Sequence, residues 1–234
     1  MQLPRVLAND LDDIPAAGQG VLLRHWHRWI TDNGQWKKAV QGYLASVTFA
    51  DAMVGRLLDA LDKSGRANQT VVVLWSDHGY HLGVKQHWEK FALWDQTTQV
   101  PLILAGPGTG TPGTRIQKPV SLLDLYPTLT ELAGLPVPKH LEGRSLLPLL
   151  RTPKAKWPYA VVTTQRQNNH AVRSEHHRYI RYDDGSEELY DHTNDPLEWK
   201  NVAGDTRYNA LKTQLAKWLP AVNAPLDPPL APPD

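Results

Sequence analysis

From Trp36 to Leu61, apolar side chains recur at Trp36, Val40, Leu44, Val47, Ala50, Val54, Leu57 or Leu58, and Leu61. Steps of three and four mark one face of a long helix. Asp32 or Asn33 is placed to cap its start and Gly65 to close its end. The run Val71-Val72-Val73-Leu74-Trp75 is apolar on both faces and predicts a strand of the buried, parallel, central kind. Val100-Pro101-Leu102-Ile103-Leu104 predicts a second strand, with Pro101 at its first residues or at an edge. Ser121 to Ala133 predicts a helix capped by Ser121, with Asp124 three residues on and Gly134 after its end.

Beyond Pro153 the pattern shortens. Tyr159–Thr164, His170–Arg173, Tyr179–Tyr182 and Glu188–Tyr190 are strand-like runs, with Asp183-Asp184-Gly185 as the turn between the last two. Arg207 to Leu219 predicts a closing helix, and the six prolines from Pro220 onward predict an extended tail. The expected organisation is an irregular lead-in at 1–35, containing a short helix around His25-Trp26-His27-Arg28-Trp29, then an α/β portion at 36–152. A small antiparallel β subdomain with its helix comes next at 153–219, and a Pro-rich tail at 220–234.

Composition narrows the chemistry. The chain has 234 residues and a formal net charge of +1, with no basic block to hold nucleic acid. No stretch of about eighteen apolar residues predicts a membrane span. There is no cysteine, so disulfides, thiolate metal sites and a cysteine-derived nucleophile are excluded within this sequence. No basic, then apolar, leader opens the sequence, and Asn68-Gln69-Thr70 fits a glycosylation sequon that chance also produces.

The candidate chemistry lies just past the first apolar strand. Ligands of open α/β sheets bind just beyond the carboxyl ends of strands. Asp77 and His78 sit there, able to hold a divalent cation or simply to cap the turn and face solvent. Lys90, within His87-Trp88-Glu89-Lys90-Phe91, is able to set a positive charge beside an anion or to be an ordinary solvated lysine.

In order along the chain, several stretches resemble the type I sulfatases of the alkaline-phosphatase superfamily, in particular the iduronate-2-sulfatase-like subgroup. They are Tyr43–Asp51, Trp75-Ser76-Asp77-His78-Gly79-Tyr80-His81-Leu82-Gly83, Trp88-Glu89-Lys90-Phe91, Gln99–Ile103, Ser121–Thr128, Leu141–Leu146, Arg178–Tyr182 and Glu188–Pro196. The resemblance covers about residues 36–220 and implies a partial sulfatase-like sheet with flanking helices. It implies Asp77 and His78 as ligands of an active-site calcium, His78 and Lys90 as catalytic, Lys90 on the sulfate oxygens, and Asn169 and His170 facing the alcohol part of the substrate.

The resemblance also implies absences. The family's formylglycine arises from Cys or Ser in a C/S-x-P-S-R motif; this sequence has none, and Thr111-Pro112-Gly113-Thr114-Arg115 does not match. Its paired aspartates have no counterpart, since no buried strand precedes Asp12-Asp13. The sequence thus resembles a sulfatase without its N-terminal half. Calcium takes about six to eight oxygen ligands, and Asp77 with His78 offers at most three contacts, so weak binding is expected. An exposed sheet edge and helix face are expected to drive self-association, or to be covered by a partner chain or by rearrangement. Besides a sulfatase-family portion without its nucleophile, two other functions stay open. One is a promiscuous metal-dependent esterase or phosphodiesterase using Asp77, His78, His81, His87 and Lys90; the other is a non-catalytic module binding carbohydrate or protein.

Overall fold

The computed structural model describes residues 1–224, so the expected Pro-rich tail lies, from residue 225 onward, outside the described residues. The best-packed part is a four-stranded antiparallel meander: β5 (Val161–Thr164), β6 (His170–Arg173), β7 (His177–Arg181) and β8 (Glu187–Asp191) pair in sequence order. The β7–β8 turn is the expected one, with Gly185 at φ +82° supplying the left-handed position.

Alternation along these strands divides the core in two. Val172, Tyr179 and Leu189 point to one face and pack with Ala203, Leu211 and Leu215, the last two from α7 (Asn209–Ala216). Ala171, Ile180, Tyr182 and Tyr190 point to the other face and pack with Ala92, Leu93 and Trp94. Leu11 and Ile14 join this second face, with Ala17 of α1 (Ala16–Gln19) against it. The N-terminal segment, which shows little periodicity, is therefore part of the wall of the C-terminal sheet.

The helical expectations match in outline. The His25–Trp29 segment lies in α2 (Arg24–Asp32), and α3 runs from Trp36 to Lys63. The expected cap does not form: Asp32 ends α2, Asn33 donates to the Trp29 carbonyl, and Gly34 at φ +62° turns the chain before α3 begins. Gly65, at φ +69°, does come directly after the helix end. Ser121 and Asp124 form a complete capping box, ahead of α5 (Leu125–Leu132) rather than of one long helix, with a 3-10 turn between. Helix α6 (Leu147–Arg151) packs on α5.

The strand at 71–75 departs from expectation. β1 (Val72–Trp75) pairs antiparallel with β4 (Leu102–Ala105) in a two-stranded ladder, neither parallel nor central. Both-face apolarity reports that both faces seek cover, and does not fix the direction of pairing. Here Leu74, Trp75 and Ile103 remain exposed, with Trp75 50% accessible. Of α3, Val40 alone is buried; Leu44, Val47, Phe49, Leu57 and Leu58 are exposed. Among the described residues, no helix is long and apolar enough to cross a membrane.

The fully buried Ile180 sits between both strand neighbours and the Trp94 segment. Ile180→Ala is expected to lower the unfolding free energy by about 2–5 kcal/mol, read as a shifted denaturant midpoint at unchanged slope. A loss below about 0.5 kcal/mol would show that this face is not packed as described.

Candidate functional site

The turn after β1 sets the site. The strand ends at Trp75, and the turn Ser76–Gly79 is fixed by its own hydrogen bonds: Ser76 Oγ donates to the His78 carbonyl at 2.8 Å, and the Gly79 N–H donates to Thr97 O at 2.7 Å. Thr97 lies in α4 (Asp95–Thr98). A Cβ at position 79 would stand 2.0 Å from the Gln96 carbonyl oxygen, so only glycine lets the turn dock there.

This turn holds Asp77 outward, its side chain 81% accessible, with Oδ1 accepting from the His78 N–H at 3.1 Å. His78 directs Nδ1 to the Gly79 carbonyl at 2.8 Å. That contact needs a proton on Nδ1 and leaves the Nε2 lone pair free. Lys90 Nζ donates to it at 3.0 Å, and Asp77 Oδ2 lies 3.7 Å away. The structure thus brings Asp77, His78 and Lys90 together across twelve residues of sequence.

Lys90 is aimed by a small hairpin, β2 (His81–Leu82) against β3 (Trp88–Glu89). His87, fully buried, accepts from the Leu23 N–H on Nδ1 at 3.1 Å and faces the Lys90 carbonyl with Nε2 at 2.9 Å. It is therefore a brace for the lysine backbone. His81 is likewise interior, with Nδ1 against the Val84 carbonyl at 3.2 Å. Neither histidine faces solvent, as the esterase alternative requires.

Asn169 and His170 are held by hydrogen bonds within the fold. His170 is buried in β6, with Nδ1 on Thr164 Oγ1 at 2.9 Å and Nε2 on Asn223 Oδ1 at 2.6 Å. Both of its ring nitrogens are thus engaged inside the fold. Asn169 accepts the Asp183 N–H at 3.0 Å and donates to the Gln167 carbonyl at 3.1 Å, stiffening the β5–β6 turn. That turn does reach the site, because Gln165 Nε2 donates to the Phe91 carbonyl at 2.8 Å.

Behind the site lies a buried ionic network that sequence reasoning missed. Arg178 donates through Nε to Glu198 Oε1 at 2.5 Å, through Nη1 to Leu93 O at 3.1 Å, and to Asp95. Glu198 Oε2 accepts the Asp95 N–H at 2.8 Å. Lys85 Nζ, with no exposure, bonds Asp10 at 2.9 Å and the Glu198 carbonyl at 2.6 Å. Burial alone would raise the Glu198 pKa, but the Arg178 guanidinium and His192 hold it down to about 2.

Asp95, His192 and Glu198 present three ligand atoms within 4.8 Å of one another, but they do not fit a metal ion. Arg178 already bonds both carboxylates, and His192 bonds Glu198 at 2.8 Å. Asp77 fits better by donor chemistry, with a carboxylate open to solvent, while the His78 Nε2 lone pair beside it is taken by Lys90. A separate cleft of 420 Å³, lined by Trp26, Tyr43, Tyr80, Trp88 and Glu89 among others, contains none of the three residues.

Residues 12–135 match the family described as Sulfatase, and residues 83–224 match that described as N-sulphoglucosamine sulphohydrolase, C-terminal. A protein named Sulfatase from Formosa agariphila is 41% identical, over 97% of this chain and 45% of its own. The Delta 4,5-hexuronate-2-O-sulfatase of Bacteroides thetaiotaomicron is 33% identical, over 86% of this chain and 45% of its own. A solved structure of a 2-O GAG sulfatase superposes with a TM-score of 0.79 at 27% identity, covering 92% of this chain and 50% of that one. The chain thus spans about half the length of the relatives it matches.

The buried His81 carries a pH dependence. Burial, with the neighbouring His87 charge adding to it, lowers its pKa from 6.5 to about 3. Between those values the unfolded chain binds a proton that the folded chain does not. Stability therefore falls as pH falls from 6.5 toward 3, by about 1.4 kcal/mol per pH unit for one proton. In urea unfolding at stepped pH, His81→Asn is expected to flatten that slope by one proton. Identical slopes in the two proteins would refute the assignment.

Proposed function

This chain belongs to the sulfatase family, the type I sulfatases of the alkaline-phosphatase superfamily, and from that premise we propose that Asp77, His78 and Lys90 form one wall of a sulfate-ester hydrolysis site. The observation that carries the reading is the contact of Lys90 Nζ with His78 Nε2 at 3.0 Å, beside the outward Asp77 carboxylate. One ammonium and one open carboxylate side by side suit an anion and a cation that meet.

The residues have separate tasks. Lys90, its backbone braced by His87, places positive charge where the oxygens of a sulfate group gather charge as the ester bond breaks. His78 shares its Nε2 lone pair with the ammonium and so sets where that charge points. Asp77 would hold part of the shell of a divalent cation, calcium by the family resemblance, with water completing it, and His78 Nε2 would join only where Lys90 leaves it for the anion. Such an ion polarises the ester oxygen when bound. The ligand class is a sulfate ester of a sugar or another alcohol, in line with the hexuronate and GAG sulfatases among the relatives.

The sequence supplies no Cys and no Ser in the formylglycine motif, so the covalent sulfate-ester route has no nucleophile among these 234 residues. The consequence is binding without turnover. The esterase alternative loses His81 and His87, which are interior.

With an aryl sulfate and added calcium, the chain as given is expected to show no turnover above background. Sulfate binding, followed by calorimetry, is expected to weaken at least tenfold in Lys90→Ala, and calcium binding in Asp77→Ala. Robust aryl sulfate hydrolysis by this chain, or sulfate binding indifferent to Lys90, would overturn the reading.

The open face of α3 and the β1–β4 ladder bears on assembly. We propose that the isolated chain, having only copies of itself to cover Leu44, Val47, Leu57, Trp75 and Ile103, self-associates. Light scattering is expected to give a mass above the 26.3 kDa of one chain, and Leu44→Glu with Leu57→Glu to lower it. A monodisperse monomer with the same fold would count against this.

A further inference from the structure

The segment next to Lys90 is costly in two ways that the sulfate site alone does not explain. Phe91 is 64% exposed although the Ala92–Trp94 core begins at the next residue. An exposed aromatic ring forgoes the gain of burial. Phe91 also sits at φ +66°, in the left-handed region, where a bulky residue is strained. Glu89 shares that conformation at φ +71°.

The surroundings hold this arrangement in place. The Lys90 carbonyl faces His87 Nε2 at 2.9 Å, and the Phe91 carbonyl accepts from Gln165 Nε2 at 2.8 Å. Gln165 opens the β5–β6 turn, where Arg166 and Asn168 are again left-handed, at φ +57° and +61°. Asn168 Nδ2 donates to Asp183 at 2.6 Å, so the turn is itself braced. Lys90 Nζ lies 5.6 Å from the centroid of the Phe91 ring. The ammonium thus lies over one face of a ring that stays largely exposed, with the exposed Arg166 on the tethered turn.

We propose that Phe91 is a specificity-determining platform: it stacks on the apolar C–H face of a sugar ring whose sulfate group is held by Lys90, and the Gln165–Asn169 turn keeps the platform in place. The proposal rests on the sulfate-site reading above and deepens it from "sulfate ester" to a sulfated pyranose. An anion adjoining a ring with one C–H-rich face matches that pair of groups. Inorganic sulfate would use the ammonium alone, and an unsulfated sugar the ring alone.

The test uses the full chain and three probes, inorganic sulfate, a monosulfated hexosamine and the unsulfated hexosamine, followed by ligand-observed NMR. Phe91→Gly removes the ring while accepting the left-handed backbone better than phenylalanine does, and its fold is checked by circular dichroism and thermal unfolding. The wild-type chain is expected to prefer the sulfated hexosamine over inorganic sulfate. Phe91→Gly is expected to lose that preference, about five- to tenfold, with inorganic sulfate binding unchanged, and Phe91→Trp to restore it. Lys90→Ala is expected to weaken both anions. If Phe91→Gly keeps the sugar preference, or if the wild-type chain has none, the platform is overturned while the sulfate site stands. If inorganic sulfate binding is absent, or does not respond to Lys90→Ala, the sulfate-site reading falls and the platform falls with it.

Discussion

Two buried cations, Lys85 and Arg178, constrain the rest of this fold. A charge taken out of water must meet opposite charge and hydrogen-bond acceptors or the structure does not form. Arg178 meets Glu198, Asp95 and the Leu93 carbonyl, and Lys85 meets Asp10 and the Glu198 carbonyl. Those contacts tie the N-terminal segment, the 83–99 segment and the C-terminal sheet into one body. Once Asp95 is held, α4 is held; once α4 is held, the Gly79 turn has its docking surface. The outward carboxylate of Asp77 and the reach of Lys90 to His78 are thus consequences of charges buried well behind them. Removing one member of the network leaves a buried, unpaired ion, which is why the network also holds the site's geometry.

Much of this is legible in the residues. Periodicity of three and four locates the long helix from Trp36, alternation and an Asp-Asp-Gly turn locate the β7–β8 hairpin, and the Ser121–Asp124 spacing marks a capping box that forms. The strand-end position of Asp77 and His78, with Lys90 twelve residues on, singles out three side chains that meet in space. The ionic network is not legible in the same way, because a charged residue in a short strand is indistinguishable from a solvated one while only one face of the sheet is considered. A signal is present all the same. Period-two alternation puts Arg178 on the side of Ile180 and Tyr182, and Glu188 on the side of Tyr190, among groups too apolar to face water. The partners of His170 are hidden from the sequence for a related reason. Its strand is covered on both faces, so a polar residue there is bonded inside, to Thr164 and Asn223.

The apolar faces of α3 and β1 carry a different lesson. Hydrophobic periodicity reports that a surface is suited to burial, and does not say against what. Along α3 the three-and-four pattern continues past Val40, yet the residues from Leu44 onward stay open in the described chain. Val72 to Trp75 finds a single strand neighbour, and the pairing is antiparallel because β4 is the strand available to it. Leu44, Leu57 and Leu58, 39–70% exposed, each forgo part of the about 1.5–3 kcal/mol that full burial supplies.

The two acidic and histidine groupings show why ligand geometry alone is a poor guide to metal. Asp95, His192 and Glu198 satisfy a distance criterion better than Asp77 and His78 do, with three donors instead of two. But the three donors converge because a guanidinium draws them together. Arg178 uses the lone pairs a metal ion would need and supplies the charge a metal ion would bring. Displacing it would bury an uncompensated arginine, a cost that a weakly held ion does not offset. Asp77 and His78 have fewer donors, and those donors have lighter commitments: a carboxylate that is mostly solvated, and an imidazole nitrogen whose one partner is the Lys90 ammonium. A site for an ion and an anion together needs donors held ready rather than donors satisfied, and only the second grouping has them.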